Sequence, residues 1–282
     1  MKNRRHPNWL KVPLGGGKTY ATVRKQLRKT HVHTICEEAK CPNIGECFSR
    51  GTATFLILGD VCTRNCRYCH VKHGDPLPVN KDESVYVAES VCKLHLNYAV
   101  ITSVTRDDLD DGGAQHFYNT IFQIKKMKPD CRVEVLIPDF KGDVDSLQKV
   151  LSANPAVLNH NIEVVSSLFS SIRPQGEYGR SLQLLKQSKE LNPDIPTKSG
   201  FMVGLGENIE EILDLMNDLR SVHVDFLTMG QYLQPTINHP SVKKYYTPKE
   251  FQILKQKALE KGFVHVESAP LVRSSYKAES FL

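Results

Sequence analysis

The chain has 282 residues, 24% charged and 40% hydrophobic, an ordinary globular balance at a length that can bury a sizeable core in one domain. Its net charge of +6 is mild and accompanies neither a concentrated basic patch nor a nucleic-acid-binding motif, so an acidic protein partner is the more economical use of it. No apolar run approaches the roughly 18 residues of a membrane span, and no signal-like apolar region follows Met1-Lys2-Asn3-Arg4-Arg5; a reducing cytoplasm is expected.

Residues 1–35 are basic and include Gly15-Gly16-Gly17-Lys18-Thr19. A phosphate loop would need glycine where Val12 stands and a strand before it, so this stretch reads as a glycine-rich connection. Ala21 to Lys29 has helical composition, and His31 and His33 read as supporting or surface residues.

Six of the eight cysteines lie between His33 and His70. Cys36, Cys41 and Cys47 form one triplet and Cys62, Cys66 and Cys69 a second, on either side of the apolar strand candidate 53–58. Disulfide pairing would leave an odd thiol in each group, and neither group splits into the two close pairs usual for structural zinc. Three cysteines suit a 4Fe–4S cube held at three irons, with the fourth iron left to a non-cysteine ligand or a substrate.

From Thr52 onward the pattern alternates. Strands are predicted at 53–58, 98–103, 132–137, 156–160, 198–203 and 224–229, and helices at 82–95, 114–127, 144–152, 179–191, 207–219 and 248–260. Six strands each followed by a helix imply a parallel sheet with right-handed crossovers, hence an α/β fold built as a partial (β/α)6 TIM-like barrel; a short strand at 263–266 would close or extend an edge. Three regions are expected: an N-terminal cluster-binding extension (1–51), the barrel (52–262), and a C-terminal segment (263–282). In a parallel barrel chemistry gathers where strands end. The second triplet, Thr105-Arg106-Asp107-Asp108, Pro138-Asp139, Asn161-Ile162-Glu163, Gly204-Leu205-Gly206 and Gly230-Gln231-Tyr232 all follow predicted strands. Cys92 and Cys131 read as buried small hydrophobes.

Cys62-x3-Cys66-x2-Cys69, with Tyr68 before the last cysteine, resembles the cluster loop of radical S-adenosylmethionine enzymes. There the open iron chelates the methionine end, and one electron cleaves the sulfonium to a 5′-deoxyadenosyl radical. CEEAKCPNIGEC (36–47) and Arg273-Ser274-Ser275-Tyr276 resemble one family within them, lipoyl synthase. The likeness runs from about Trp9 to Ala278 through TSVTRDDLDDGGA (102–114), NHNIE (159–163), KSGFMVGLGE (198–207) and MGQYLQPT (229–236).

The resemblance implies insertion of two sulfurs at carbons 6 and 8 of an octanoyl chain on a carrier lysine, with two 4Fe–4S clusters and S-adenosylmethionine. The carrier would be a lipoyl domain of a 2-oxoacid dehydrogenase or the glycine-cleavage H protein, and the reductant a ferredoxin or flavodoxin. It implies Cys62, Cys66 and Cys69 as ligands of the first cluster. Cys36, Cys41 and Cys47, with Ser275 as fourth ligand from a C-terminal tail reaching back to it, would hold the auxiliary cluster that gives up sulfur, and Ser275 and Arg273 are the candidate catalytic residues. Tyr68, Asn161, Glu163 and Arg173 are the candidate S-adenosylmethionine contacts. Arg106-Asp107-Asp108 reads equally as a site or as a salt-bridged turn, and Gly112-Gly113 and Gly204-x-Gly206 as tight turns approaching the nucleoside. The rivals are another sulfur-inserting radical enzyme and, from a different class, a two-cluster electron carrier.

Overall fold

A computed structural model of the chain describes residues 6–12, 15–30 and 32–281. His31 therefore lies outside the described residues. Helix α1 (Gly17–Thr30) leads to β1 (His33–Thr34), α2 (Ile35–Glu38), α3 (Ile44–Ser49) and β2 (Thr54–Ile57). The ribbon strands β3 (Val61–Cys62) and β4 (Lys72–His73) bracket the second triplet. Alternation follows: α4 (Glu83–Lys93), β5 (Tyr98–Ser103), α5 (Ala114–Met127), β6 (Arg132–Leu136), α6 (Val144–Ser152) and β7 (Val157–Asn159). Then come α7 (Ser166–Ile172), α8 (Tyr178–Leu191), β8 (Thr197–Val203), α9 (Ile209–Ser221), β9 (Phe226–Gln231), α10 (Pro248–Glu260) and β10 (His265–Ser268).

The main sheet has eight strands in the order β1-β2-β5-β6-β7-β8-β9-β10. Every neighbouring pair from β2 to β10 is parallel, and β1 adds antiparallel to β2. The interior strands are continuous apolar runs because helices cover them outside and side chains fill them inside; Phe55, Leu56, Ile57, Ile101, Val133 and Val135 are fully buried. Local chemistry sets the helix starts. Asn208 with Glu211 and Thr247 with Glu250 form capping boxes on α9 and α10, and Pro248 occupies the first turn of α10, where its missing N–H is harmless.

The last strand falls at 265–268 rather than 263–266. Gly262, at φ +91°, ends α10, and the pairing of His265 with Phe226 fixes the register, leaving Phe263 to plug the core and Val264 outside it. That strand lengthens the sheet edge without closing the barrel. Residues 269–281 then run down the inside. The Pro270 carbonyl accepts from Gln231 N–H near the end of β9, Ser275 meets Thr54 at the start of β2, and Phe281 reaches Phe226 at the start of β9. Elsewhere along this path Asn43 donates to the Leu271 carbonyl at 2.7 Å and Tyr276 to Glu46, tying the tail to the loop and helix that carry the first triplet. Among the described residues no helix is long and apolar enough to cross a membrane.

Candidate functional site

The turn after β2 aims the second triplet. Leu58 takes a left-handed conformation (φ +70°), held by donation of its N–H to Glu83 at 2.7 Å and by Arg106 donating to its carbonyl at 3.1 Å. A β-carbon on Gly113 would lie 2.3 Å from the Leu58 side chain, so this glycine serves close packing within the chain and not approach to a nucleoside. Beyond the turn, Arg64 sits between Cys62 and Cys66 and is almost wholly buried. It grips Asp107 at 2.7 and 2.9 Å and Asp139 at 2.7 Å, pinning the cysteine loop to the ends of β5 and β6. Backbone N–H groups of Arg64 and Thr105 point at the Cys62 sulfur at 3.4 and 3.3 Å. His239 bonds the Cys69 carbonyl at 3.0 Å from the loop after β9.

A cavity of about 480 Å³ opens beside this loop. It is lined by Cys62, Cys66 and Cys69, by Tyr68, Asn161, Glu163 and Arg173, and deeper by Arg273, Ser274 and Ser275. Asn161 donates to Glu163 at 3.0 Å, and Arg173 donates to the Asn161 carbonyl at 3.0 Å. Glu163 holds φ at +73°, a costly conformation for a residue with a side chain and one that recurs at functional sites. Burial raises its carboxyl, opposed by the Arg173 charge. Asn161 Oδ1 and Arg173 Nε are buried without a partner, an arrangement that fits a polar ligand entering the cavity.

The first triplet gathers elsewhere. Cys36 on α2, Cys41, and Cys47 on α3 surround a small cavity of about 50 Å³ together with Thr54, Tyr98, Arg273 and Ser275. Thr34 caps α2 and so sets the orientation of Cys36. This site lies toward the ends where β2 and β5 begin, whereas the second triplet lies where strands finish. Cys36, Cys41 and Ser275 also line the large cavity, which therefore connects the two. Burial, reinforced by neighbouring sulfurs, pushes the Cys36 and Cys69 thiols up to about 12 and Cys47 up to about 11. Burial likewise raises Cys41 against the opposing charge of Arg273. Ligation as thiolates would thus release protons.

Sulfur spacing separates a cube from a single ion. Four thiolates on one zinc lie about 3.8 Å apart, as tetrahedral bonds of roughly 2.3 Å require. Among the described residues no three cysteine sulfurs come within 4.8 Å of one another. The donor sets fit a larger cluster. The one compact group of potential ligands there, His33, Glu38 and Asp60, already has Lys72 on Asp60 at 2.6 Å.

Of the other sequence candidates, Thr105, Pro138 and Gly230 also line the large cavity, whereas Arg106-Asp107-Asp108, Gly112-Gly113 and Gly204-x-Gly206 line neither. Asp108 pairs with Arg106 and Asp107 with Arg64, so this stretch is a salt-bridged turn. The N–H groups of Gly204, Leu205 and Gly206 all donate to the Glu207 carboxylate, and a β-carbon on Gly204 would meet Gln231 at 2.1 Å, so the glycines wrap their own chain and not a nucleoside. Cys131 is buried, but Cys92 is only partly so. Sequence reasoning missed Thr54, hidden in an apolar strand, and the grip of Arg64 on two distant carboxylates.

The N-terminal-domain profile of lipoyl synthase matches residues 1–41, and the radical SAM superfamily profile matches residues 56–219. A lipoyl synthase of Rubrobacter xylanophilus is 54% identical over 96% of this chain and 85% of its own length. One of Caldicellulosiruptor saccharolyticus is 52% identical over 99% and 98%. The fold is similar to crystalline methylornithine synthase, with a TM-score of 0.58 at 13% identity over 79% of this chain and 73% of that one. With both cysteine triplets present, the radical SAM profile matching more than half of the chain and the likeness to the two relatives running nearly end to end, this chain belongs to the lipoyl synthase family of the radical SAM superfamily.

Proposed function

We propose that this chain holds two 4Fe–4S clusters in the two triplet sites and uses them with S-adenosylmethionine on an octanoyl-lysine of a carrier protein, either a lipoyl domain or an H protein. The observation that carries this reading is that Cys36, Cys41, Cys47 and Ser275 line one cavity although Ser275 comes from the far end of the sequence. Cys62, Cys66 and Cys69 would hold the cluster that, when bound, supplies the electron for radical chemistry at unactivated carbon. The auxiliary cluster is the sulfur-donating substrate, to be renewed after turnover.

The remaining residues bind and orient. Asn161 Oδ1, Arg173 Nε, Glu163 and Tyr68 present polar groups suited to the methionine and ribose ends of S-adenosylmethionine. Leu56, Val104, Leu136, Phe201 and Met202 give the cavity apolar walls for an alkyl chain and exclude water from it. Arg273 is half-buried near Cys41 and Glu163, where its charge favours thiolate and carboxylate forms. A ferredoxin or flavodoxin is the fitting reductant. Anaerobic incubation with S-adenosylmethionine, reductant and an octanoyl-lysine peptide tests the reading by mass spectrometry. Gain of two sulfurs with loss of two hydrogens is expected, and an unchanged mass refutes it.

A further inference from the structure

Thr54 is the first residue of β2 and is followed by three fully buried apolar residues. A hydroxyl in such a run costs free energy unless it is bonded. It is bonded: Thr54 Oγ1 donates to Ser275 Oγ at 2.8 Å. Pairing with Val100 across the sheet fixes the backbone, and β-branching restricts the side chain to few rotamers, so the donor is held still. Thr54 is 5% exposed and lines the same small cavity as Cys36, Cys41, Cys47 and Ser275.

We infer that Thr54 is a positioning residue of the sulfur-donating site, its hydroxyl orienting the Ser275 oxygen toward the cluster and weakening that oxygen's hold on iron. The inference rests on the reading of Ser275 as a ligand. A serine oxygen bound to iron has lost its proton and can only accept, so the hydrogen in the Thr54–Ser275 contact must be the threonine's. Donation to an anionic oxygen is charge-assisted, and it draws electron density away from the bond to the metal. The one oxygen ligand of the site is thereby kept readily exchangeable, as a cluster that must give up sulfur requires.

The test uses the full chain, reconstituted anaerobically, as wild type, Thr54→Val, Thr54→Ser and Ser275→Ala. A ferrous chelator extracts iron, and the auxiliary portion is obtained by subtracting extraction from Cys36→Ala, which keeps only the cluster-loop iron. Thr54→Val should load as much iron as wild type and lose auxiliary iron roughly 2–10-fold more slowly, the range expected for one lost hydrogen bond. Its lipoyl yield per 5′-deoxyadenosine should fall, and Thr54→Ser should restore both readings. Thr54→Ala, which places no extra methyl in the cavity, gives the same reading should Thr54→Val fail to load. Unchanged or faster extraction without the hydroxyl, or Thr54→Ser behaving like Thr54→Val, overturns the inference. If Ser275→Ala alters extraction while Thr54→Val does not, Thr54 alone has been misread. Extraction from Ser275→Ala at the wild-type rate removes Ser275 as a ligand and the inference with it.

Discussion

The Asn161 amide donates to Ser274 Oγ at 2.5 Å, joining residues 113 positions apart in sequence. The same nitrogen donates to Glu163 at 3.0 Å. One amide thus touches both the polar wall of the large cavity and the segment that carries Ser275. Ser274→Ala removes that tie without removing a candidate ligand. Iron content should stay at the wild-type level, while S-adenosylmethionine affinity should fall by roughly 2–10-fold, as for one hydrogen bond. Equilibrium binding on the reconstituted protein measures this, and Ser275→Ala should impair lipoyl formation far more.

Removing individual cysteines should separate two activities. Cys62→Ala, Cys66→Ala or Cys69→Ala should form neither 5′-deoxyadenosine nor lipoyl product. Cys36→Ala, Cys41→Ala or Cys47→Ala should still cleave S-adenosylmethionine and yield no lipoyl group. Iron should drop from about eight to about four per chain in either set, since each cube holds four. Product chromatography with iron analysis decides it.

Gly230 backs directly onto the tail, where a β-carbon would lie 2.1 Å from the Val272 carbonyl. Gly230→Ala must push Val272 and with it Arg273 to Ser275. Overpacking of this kind costs about 1–3 kcal/mol, so thermal unfolding should move down by several degrees. Lipoyl yield should fall more than S-adenosylmethionine cleavage, because the cysteine loop is anchored independently by Arg64.

Acid sensitivity should begin with His160. Its Nδ1 meets the Ile137 carbonyl at 2.8 Å and its Nε2 meets Ser181 at 3.1 Å, contacts that assign a neutral ring protonated at Nδ1. Burial and the Arg173 charge depress it to about 4, with Asp139 opposing and Arg64 adding to the effect. Unfolded histidine titrates near 6.5, so between about 6.5 and 4 the unfolded chain binds a proton that the folded chain refuses. This contribution is whole above pH 6.5 and is lost as pH falls toward 4, by at most about 3 kcal/mol. Asp139 follows at lower pH: burial raises it, yet Arg64 prevails and holds it at about 2, so its share is lost below about 3.8. Urea midpoints measured against pH should fall through the first window, and His160→Asn, which keeps a donor for Ile137, should flatten that fall.

Charge on the carrier supplies another test. If the chain's surplus of +6 helps dock an acidic carrier domain, turnover on the whole carrier should drop with salt as screening shortens to about 8 Å near physiological ionic strength. Turnover on an octanoyl-lysine peptide should change less. Equal salt sensitivity would remove electrostatic docking.

The helices at 114–127, 144–152 and 248–260 and the strand at 98–103 were legible to the residue, because each is long enough for its period to show. The pieces that build the first triplet's site were not. β1, α2 and α3 span two, four and six residues, too short for periodicity, and their places depend on tertiary contacts such as Asn43 to Leu271. Cysteine spacing and the tail signature picked out residues that line the two cavities, but nothing local could tell that the triplets lie toward opposite ends of the strands. Thr54 was invisible for a related reason: β-branched residues are ordinary in strands, and only the approach of Ser275 distinguishes this one.

The descent of the tail through the barrel also orders assembly in time. The thiols of the second triplet come from a single short loop, whereas Thr54 and Ser275 meet across 221 residues of sequence. Contacts of such separation form late, after the chain has been synthesised and the strands between have paired. The loop between β3 and β4 can therefore be complete while the other candidate site still lacks Ser275. If both triplets hold clusters, loading would be sequential by construction, the site between β3 and β4 first and the site closed by Ser275 last.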